Sequence, residues 1–425
     1  MKPKLRFKGY DEEWKFIPFS DNFSILKNNT LSREGLTNDP SSNVANIHYG
    51  DILVKFGEII NGKNEEVPWI LNKSDIELNS QTLLKSGDVV FADTAEDEAV
   101  GKCVEVIKCE NKQIVSGLHT IPARTNVRYA EGFLGYYLNS PSYHNTLLPL
   151  MQGIKVLSLS KSAISKTQII YPYNLDEQKE IGEYFQKLDG LIKETGKEIE
   201  KLENVKQASL QKMFPQAGES VPQLRFKDFT NPWKKIRVGL ILTMERGLTF
   251  SPKDLSDKNN GVLVLRSSNI KNDILNINPE EEIYVKRERV NIPFISNGDI
   301  LFTASNGSSN LVGKHCLIES LTNIAVHGGF MLLGKSSFPF FTQAWLSAPW
   351  YKQSLDSFIT GGNGALGNFQ TKEFLNKEVF YPASEEEIKA IGEFFRNLDK
   401  MISAKKKKLE KLKQIKKSCL NLMFV

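Results

Sequence analysis

The sequence lacks the patterns that define several common protein classes. Only four of its 425 residues are cysteines, and no two of them have the spacing of a zinc knuckle or a redox motif. Four are sparse for a disulfide scaffold, so we expect a reducing, cytoplasmic compartment. No run approaches the ~20 apolar residues that span a bilayer. No apolar stretch follows the basic start, so neither export nor membrane insertion is expected.

Catalytic motifs are missing as well. We find no Asn/Asp-Pro-Pro-aromatic loop for a flipped base, no Gly-x4-Gly-Lys-Ser/Thr phosphate loop, no Pro-Asp pair and no Gly-x-Ser-x-Gly serine. His315, Cys316 and His327 fit no common zinc spacing, and His119 and His327 are expected at most to position a loop. The sequence therefore predicts no catalytic residue, no metal ligand and no cofactor site on this chain.

What is present indicates a globular protein with more than one core. Hydrophobic residues make up 40% of the chain and charged residues 25%, which argues against disorder. At this length two domains or more are expected. The net charge of +5 is compatible with a nucleic-acid partner, but it is too small to indicate one by itself.

An internal duplication decides the interpretation, because blocks of the first half recur in the same order in the second. They are residues 3–8 and 222–227 (offset 219), 87–91 and 298–302 (offset 211), 100–102 and 312–314 (offset 212), and 171–215 and 381–425 (offset 210). The last pair aligns without a gap, with 19 identities in 45 positions. The chain therefore contains two copies of one unit.

Each copy has the same internal plan. A strand-rich part comes first, with β-branched runs at 51–56, 88–91 and 103–107 in one copy and at 262–265, 299–302 and 324–326 in the other. Short helices at 132–139 and 341–347 and a Gly-bearing loop follow, and one long helix ends the copy. The predicted segments are recognition domains at 1–170 and 216–380 and helical spacers at 171–215 and 381–425.

The two long helices carry apolar stripes in the same register, interrupted at Thr195 and at Lys405. The predicted seam consists of Ile181, Phe185, Leu188, Ile192, Ile199 and Leu202 in one helix and Ile391, Phe395, Leu398, Ile402, Leu409 and Leu412 in the other. Residues 176–212 carry net charge −2 and residues 384–424 carry +5. Opposite charge favours two helices that pack on each other. Packing of each stripe on its own domain is the alternative.

With these features the chain resembles the specificity subunits of type I restriction–modification systems. The similarity rests on residues 4–8 with Trp14, on the Gly-Asp-Val-Val-Phe strand at 87–91, on Tyr-Pro at 171–172, and on the helix start at 177–182, each with a second-copy counterpart. Individual motifs are weak, but their doubled order covers the whole chain. One departure is the Ser-Glu-Glu-Glu sequence at 384–387, which replaces a glutamine-bearing start.

The resemblance implies an α+β fold in which two strand-rich target-recognition domains are each followed by a long helix. The helices would pair as an antiparallel coiled coil, with pseudo-twofold symmetry. It implies a non-catalytic subunit that reads an asymmetric bipartite target in double-stranded DNA. Two methyltransferase (modification) subunits and two restriction (translocase-nuclease) subunits would dock on it, and S-adenosylmethionine, ATP and Mg²⁺ would belong to those partners.

Candidate DNA contacts are polar and basic residues of the loops between strands, since Lys and Arg bind phosphate or guanine and Asn reads adenine. They are Lys55, Asp93, Thr94, Lys102, Arg124 and Lys155 in the first copy and Arg266, Ser305, Asn306, Lys314 and Asn363 in the second. For each, a solvated side chain is the alternative. Two other functions stay open: an enzyme with an unfamiliar site, and a coiled-coil assembly protein that never reads DNA.

Overall fold

The computed structural model describes residues 1–40, 43–62, 67–109, 112–216, 218–361 and 366–425. The chain divides into two compact units. Unit 1 comprises Met1–Gly196 and Lys407–Val425, and unit 2 comprises Lys197–Lys406. Each unit thus contains one globular part and a portion of both long helices. The four segment boundaries derived from the sequence stay a prediction.

The globular part of unit 1 is built from short strands and short helices. The strands are β1 (Lys15–Pro18), β2 (Phe23–Ile25), β3 (Leu36–Thr37), β4 (Val44–Ile47), β5 (Ile59–Asn61), β6 (Trp69–Ile70), β7 (Val89–Ala92), β8 (Thr94–Ala95), β9 (Cys103–Ile107), β10 (Gln113–Ser116), β11 (Thr120–Thr125), β12 (Leu157–Ser158) and β13 (Gln168–Tyr171). The helices are α1 (Phe19–Asn22), α2 (Tyr49–Val54), α3 (Phe133–Asn139), α4 (Pro141–Leu147) and α5 (Lys161–Ile164).

Two sheets form the body of unit 1. One has the strand order β2-β11-β7-β9-β5 and the other has the order β10-β4-β6-β3. Strands β7, β9 and β4 are buried along their whole length, which explains why they appear as continuous apolar runs in the sequence. Strands β1 and β13 form a separate antiparallel ribbon that connects the start of the chain to the beginning of the long helix.

One strand expectation in this region is wrong. Residues 51–56 were expected to be a strand from their β-branched run, but α2 covers Tyr49–Val54. His48 caps this helix by accepting the N–H of Gly50 at 3.2 Å, and Asp51 lies in its first turn. A side-chain cap and an acidic first turn stabilise a helix start, and they prevail here over β propensity.

Unit 2 repeats this architecture with different loops. Its strands are β14 (Lys234–Arg237), β15 (Thr243–Arg246), β16 (Leu255–Ser256), β17 (Gly261–Leu265), β18 (Ile270–Lys271), β19 (Ile274–Leu275), β20 (Tyr284–Lys286), β21 (Ile300–Thr303), β22 (Ser305–Asn306), β23 (His315–Leu317), β24 (Ala325–His327), β25 (Met331–Lys335), β26 (Ile359–Thr360), β27 (Gly367–Phe369) and β28 (Glu378–Tyr381). The long helix α6 lies at Leu175–Lys212 and belongs partly to each unit. The remaining helices are α7 (Pro339–Ser347), α8 (Pro349–Leu355), α9 (Thr371–Asn376) and α10 (Glu385–Leu422).

The strand orders of unit 2 match those of unit 1. The order β15-β25-β21-β23 corresponds to β2-β11-β7-β9, and the order β16-β20-β17-β24 contains the same parallel pair that β4 and β10 form. The ribbon of β14 and β28 corresponds to that of β1 and β13. The duplication in the sequence is therefore a duplication of the fold.

Helices α6 and α10 pack together, and ion pairs within each unit give their direction. In unit 1 the Lys416 ammonium lies 2.7 Å from the Asp189 carboxylate. In unit 2 Lys405 pairs with Glu198 at 2.7 Å and Lys206 pairs with Asp399 at 2.6 Å. The partner's number falls along α10 as the number rises along α6, so the helices are antiparallel. These pairs are partly exposed, so each contributes little stability.

The side chains of the predicted seam are largely withdrawn from solvent. Eight are buried and the other four are half-buried; the buried ones are Ile181, Phe185, Leu188, Ile199, Ile391, Phe395, Leu398 and Ile402. Phe185 stacks on Tyr136 of the globular part, with ring centroids 4.9 Å apart, and on Phe424, which lies just after α10, at 5.8 Å. The stripe therefore packs both on its own domain and on the other helix.

A buried ion pair fixes the entry segment of each unit to the start of its long helix. Arg6 donates to both carboxylate oxygens of Glu177, at 2.7 and 2.8 Å, and the Trp14 indole N–H donates to the same carboxylate at 3.3 Å. In unit 2, Arg225 donates to both carboxylate oxygens of Glu387, and the Trp233 indole N–H donates to the same carboxylate. The geometry is the bidentate one that gives Arg–carboxylate pairs their specificity. The Ser-Glu-Glu-Glu sequence at 384–387, which replaces a glutamine-bearing start, therefore retains Glu387 for this ion pair.

Candidate nucleic-acid interface

In unit 1, three loops meet at one end of the larger sheet. The chain leaves β7 at Asp93, whose backbone N–H donates to the carbonyl of His119 at 3.1 Å. The Asp93 carbonyl accepts the N–H of Leu159 at 2.8 Å, and Thr94 donates its hydroxyl to the carbonyl of Leu157 at 3.1 Å. We call residues 93–94, 117–119 and 152–158 the first turn surface. It unites positions up to 65 residues apart in the chain.

His119 is held in place within the first turn surface. Its backbone has a φ of +54°, a left-handed conformation that few residues other than glycine adopt. Its ring lies 5.2 Å from that of Tyr49, edge to face, and its Nδ1 lies 3.2 Å from a carboxylate oxygen of Asp93. Burial raises the pKa of Asp93, whereas the charge of His119 acts to lower it. The His119 side chain is about half exposed, so it remains accessible to a ligand.

The hairpin at 152–158 supplies the exposed part of the first turn surface. Its ends are joined by two hydrogen bonds between Gln152 and Ser158, at 2.8 and 3.0 Å. Lys155 is exposed near the tip, and Ile154 beside it is fully exposed. A cation on a projecting hairpin is well placed for a phosphate or a guanine edge.

Unit 2 has the same arrangement at the equivalent place. The backbone N–H groups of Ala304 and Ser305 donate to the carbonyl of Phe330, at 2.8 and 3.1 Å, as Asp93 does to His119. The carbonyl of Ala304 accepts the N–H of Phe369 at 2.8 Å, as that of Asp93 does from Leu159. We call residues 304–306 and 328–330 with strands β26 and β27 the second turn surface.

The candidates Ser305 and Asn306 lie in the second turn surface and already have partners. Ser305 donates its hydroxyl to Asn368 at 2.6 Å, and Asn306 donates its amide to the Ser267 hydroxyl at 3.1 Å. Arg266 precedes Ser267 and donates to the carbonyl of Glu281 at 2.8 Å. Asn363 lies outside the described residues. Hydroxyl and amide groups dominate this surface, and such groups distinguish bases by hydrogen bonding.

Four further candidates are placed differently. Lys102 donates to the carbonyls of Leu53 and Phe56, both at 3.1 Å, and burial lowers its pKa. Arg124 holds the buried Asp88 carboxylate in a bidentate pair, at 2.6 and 2.9 Å. It lies at the opposite end of β11 from the first turn surface. Lys55 is exposed just after α2, and Lys314 is exposed just before β23. Their roles as DNA contacts stay predictions.

The sequence-based reasoning did not single out His119 and Phe330 as exposed residues of the two turn surfaces. Both follow a glycine-containing turn between two apolar strands, and both align at offset 211. That alignment was available in the sequence, but the exposure of the two side chains depends on the fold.

The two buried histidines of unit 2 pack against backbone and aromatic groups of its core. His327 lies 3.1 Å from the carbonyl of Glu245, and burial lowers its pKa. His315 is buried against Phe302 and Tyr351, and burial lowers its pKa too. Among the described residues no group of three or more His, Cys, Asp or Glu side chains is arranged to hold a metal ion. No helix in the described part of the chain has the length and apolar character to cross a membrane.

Comparison with known proteins finds relatives that match nearly the whole chain. No family model matches. The chain is 23% identical over 428 residues to a putative type I restriction enzyme MjaX specificity subunit of Methanocaldococcus jannaschii, covering 97% of this chain and 93% of the relative. Against the EcoKI specificity subunit of Escherichia coli K12 it is 22% identical over 396 residues, covering 89% and 81%. Its homologues are type I specificity subunits.

Solved structures also share the fold of this chain. The crystal structure of a type I restriction–modification S subunit from M. genitalium matches with a TM-score of 0.62 at 15% identity, over 100% of this chain and 99% of that one. A chain from a structural study of assembly and conformational transition in the type I system matches with a TM-score of 0.51 at 14% identity, over 96% and 97%. The predicted resemblance and fold class are confirmed. The names of the homologues agree with the prediction of a non-catalytic specificity subunit.

Proposed function

We propose that this chain is the sequence-specific DNA-recognition subunit of a type I restriction–modification complex. Each unit reads one half of an asymmetric bipartite target in double-stranded DNA through its turn surface. Modification subunits, which carry S-adenosylmethionine, and restriction subunits, which use ATP and Mg²⁺, dock on it as two copies each. The chemistry belongs to those subunits.

The observation that carries the proposal is one backbone arrangement with two different sets of side chains. Thr94 and Ser305 occupy the same position, and His119 and Phe330 occupy another, because the same backbone hydrogen bonds fix both turns. Loops that vary on a constant frame are the usual carriers of recognition. Since the presented groups differ between the units, the two half-sites should differ in sequence.

Exposed leucines support partner docking at the entry segments. Leu5 is 43% exposed and Leu224, its counterpart at offset 219, is 48% exposed. Each precedes the arginine that is bound to the buried glutamate of the long helix. An apolar side chain repeated on both units, next to a rigid anchor, fits a partner that is present in two copies.

The paired helices support a spacer role. Each is 38 residues long, which corresponds to roughly 57 Å at ~1.5 Å per residue. Two readers that contact the same groove must be held at a defined separation, and paired helices are stiff enough to do so. The separation of the half-sites would then depend on helix length.

A domain exchange tests the bipartite reading. Residues 21–157 would be replaced by the matching domain of another specificity subunit, and the complex with modification subunits would be assayed by mapping methylated bases. One half of the target should change and the other should stay. The matched control exchanges the equivalent part of unit 2, which should change only the other half. If either exchange altered both halves, independent reading would be refuted.

Incubating the isolated chain with DNA, S-adenosylmethionine, ATP and Mg²⁺ tests the assignment of chemistry to the partners. No methylated or cleaved product should form until the other subunits are added. A product that follows this chain through purification would instead indicate an enzyme.

A further inference from the structure

Phe330 is an exposed aromatic residue on a surface that is otherwise polar. Its side chain is 63% exposed, and within the described parts of the chain its ring contacts no other ring. Ser305, which donates its N–H to the Phe330 carbonyl, and Asn306 next to it present hydroxyl and amide groups. A phenyl ring that is exposed among polar groups is available for contact with an apolar group of a ligand.

The turn that carries Phe330 is held rigidly from behind. The N–H of Gly328 donates to the carbonyl of Leu265 at 2.9 Å, and the N–H of Met331 donates to the carbonyl of Gly328 at 2.8 Å. Gly247 approaches so closely that an added Cβ would lie 2.0 Å from the Gly328 carbonyl oxygen. The ring is therefore presented on a fixed backbone, which reduces the entropy lost when a ligand binds.

Double-stranded DNA offers one apolar group to a protein in the major groove, the C5-methyl of thymine. The other base-edge groups there are hydrogen-bond donors and acceptors, for which hydroxyl and amide side chains suffice. A phenyl ring beside Ser305 and Asn306 is thus suited to a thymine methyl, with the polar neighbours on adjacent bases. In unit 1 the same position holds His119, which hydrogen-bonds instead.

We propose that Phe330 is a specificity-determining residue that recognises a thymine methyl group in the half-site read by unit 2. This rests on the proposed DNA-recognition function. Phe330 thereby requires thymine at one position of that half-site and discriminates against cytosine and uracil there. His119 gives the first half-site a different requirement at the corresponding position.

The test removes the methyl group from the DNA and the ring from the protein. The complex with modification subunits would be titrated with target duplexes in which each thymine of the second half-site is replaced in turn by uracil. One replacement should weaken binding about fourfold, as expected for one buried methyl group. Phe330→Ala should weaken binding to the unmodified target by about tenfold, and the same uracil should no longer matter. Phe330→Leu, which keeps an apolar contact, should recover part of the affinity.

Leu240→Ala is the matched control. Leu240 is also a large apolar residue of unit 2, 79% exposed, and it precedes β15, whose first residue pairs with Lys335 at the far end of β25 from Phe330. This variant should bind like the parent and keep its sensitivity to uracil. Melting curves of both variants should match that of the parent, because both side chains are exposed.

Each outcome separates the inference from the proposed function. If the parent complex shows no bipartite preference, the proposed function fails. If the parent is specific but no uracil weakens binding, or if Phe330→Ala keeps the full uracil effect, only the thymine inference fails. If Phe330→Ala instead releases the modification subunits with an unchanged DNA preference, Phe330 is a protein contact and the inference is overturned.

Discussion

At the scale of single residues, Glu105 is unusual because a carboxyl group lies in the core of unit 1. It is 1% exposed on β9, and its oxygens accept the N–H groups of Gly132 and Gly135, both at 2.8 Å. Burial raises its pKa to about 7, although these N–H groups act in the opposite direction. The equivalent strand position in unit 2 is Leu317, so only unit 1 carries this group.

The raised pKa predicts a pH-dependent stability for unit 1. The folded state favours the protonated carboxyl, so its contribution is complete below an ordinary pKa of 4.5 and is lost as pH rises toward 7. The loss is on the order of 3 kcal/mol. Urea unfolding should show this decline in the parent, and Glu105→Gln should flatten it.

Comparison of the two variants cancels the titration of all other groups. If the free energy of unfolding has the same pH dependence in the parent and in Glu105→Gln between pH 4.5 and 7.5, the carboxyl does not titrate in that range. Unit 2 provides an internal control, since its unfolding should show no corresponding difference.

At the scale of elements, the ends of the long helices complete the cores of the globular parts. Phe424, just after α10, lies within about 6 Å of the rings of Phe133, Tyr137 and Phe185 in unit 1. Phe214, just after α6, packs in the same way on Trp233, Phe341 and Phe395 in unit 2. Each helix thus begins as part of one unit and ends in the core of the other, as the division into units already indicates.

Removing these rings should destabilise each unit separately. Phe424→Ala should lower the free energy of unfolding of unit 1 by about 3–5 kcal/mol, because it leaves a cavity among packed aromatic residues. Phe214→Ala should do the same in unit 2. Hydrogen exchange read out by peptide would assign each loss to its unit. Leu422→Ala, at a side chain 37% exposed, should have little effect, and an equal loss there would contradict the packing argument.

At the scale of the whole molecule, an antiparallel helix pair can be lengthened only if both helices grow at facing points. The ion pairs of Asp189 with Lys416 and of Glu198 with Lys405 place Gly196–Lys197 opposite Lys406–Lys407. Insertion at both points keeps the pairs on either side in register, whereas insertion in one helix shifts them.

Inserting four residues at both points should widen the gap between the half-sites and leave the bases unchanged. Four residues add ~6 Å along the axis and slightly more than one turn, which corresponds to about two base pairs at ~3.4 Å each. Mapping of methylated sites would measure both quantities. The control inserts four residues in α6 alone, which should lower stability. An unchanged gap would exclude the helices as the spacer, and changed bases would mean that the helices read DNA.

The sequence by itself determined the features that repeat or have a period. The duplication followed from aligned blocks, and the two 38-residue helices followed from apolar residues spaced by three and four positions. Both signals are contained within one element or one alignment, so they do not depend on tertiary contacts with the rest of the chain.

Only the tertiary structure decided which side chains remain available to a ligand. Lys102 and Arg124 look like DNA contacts in the sequence, but carbonyl groups and Asp88 bind them within the fold. His119 and Phe330 look unremarkable, yet both are presented at the end of a sheet. The exposure and hydrogen bonding of a side chain depend on loops that are distant in the chain and meet only after the sheets have packed. Local sequence periodicity therefore cannot predict them.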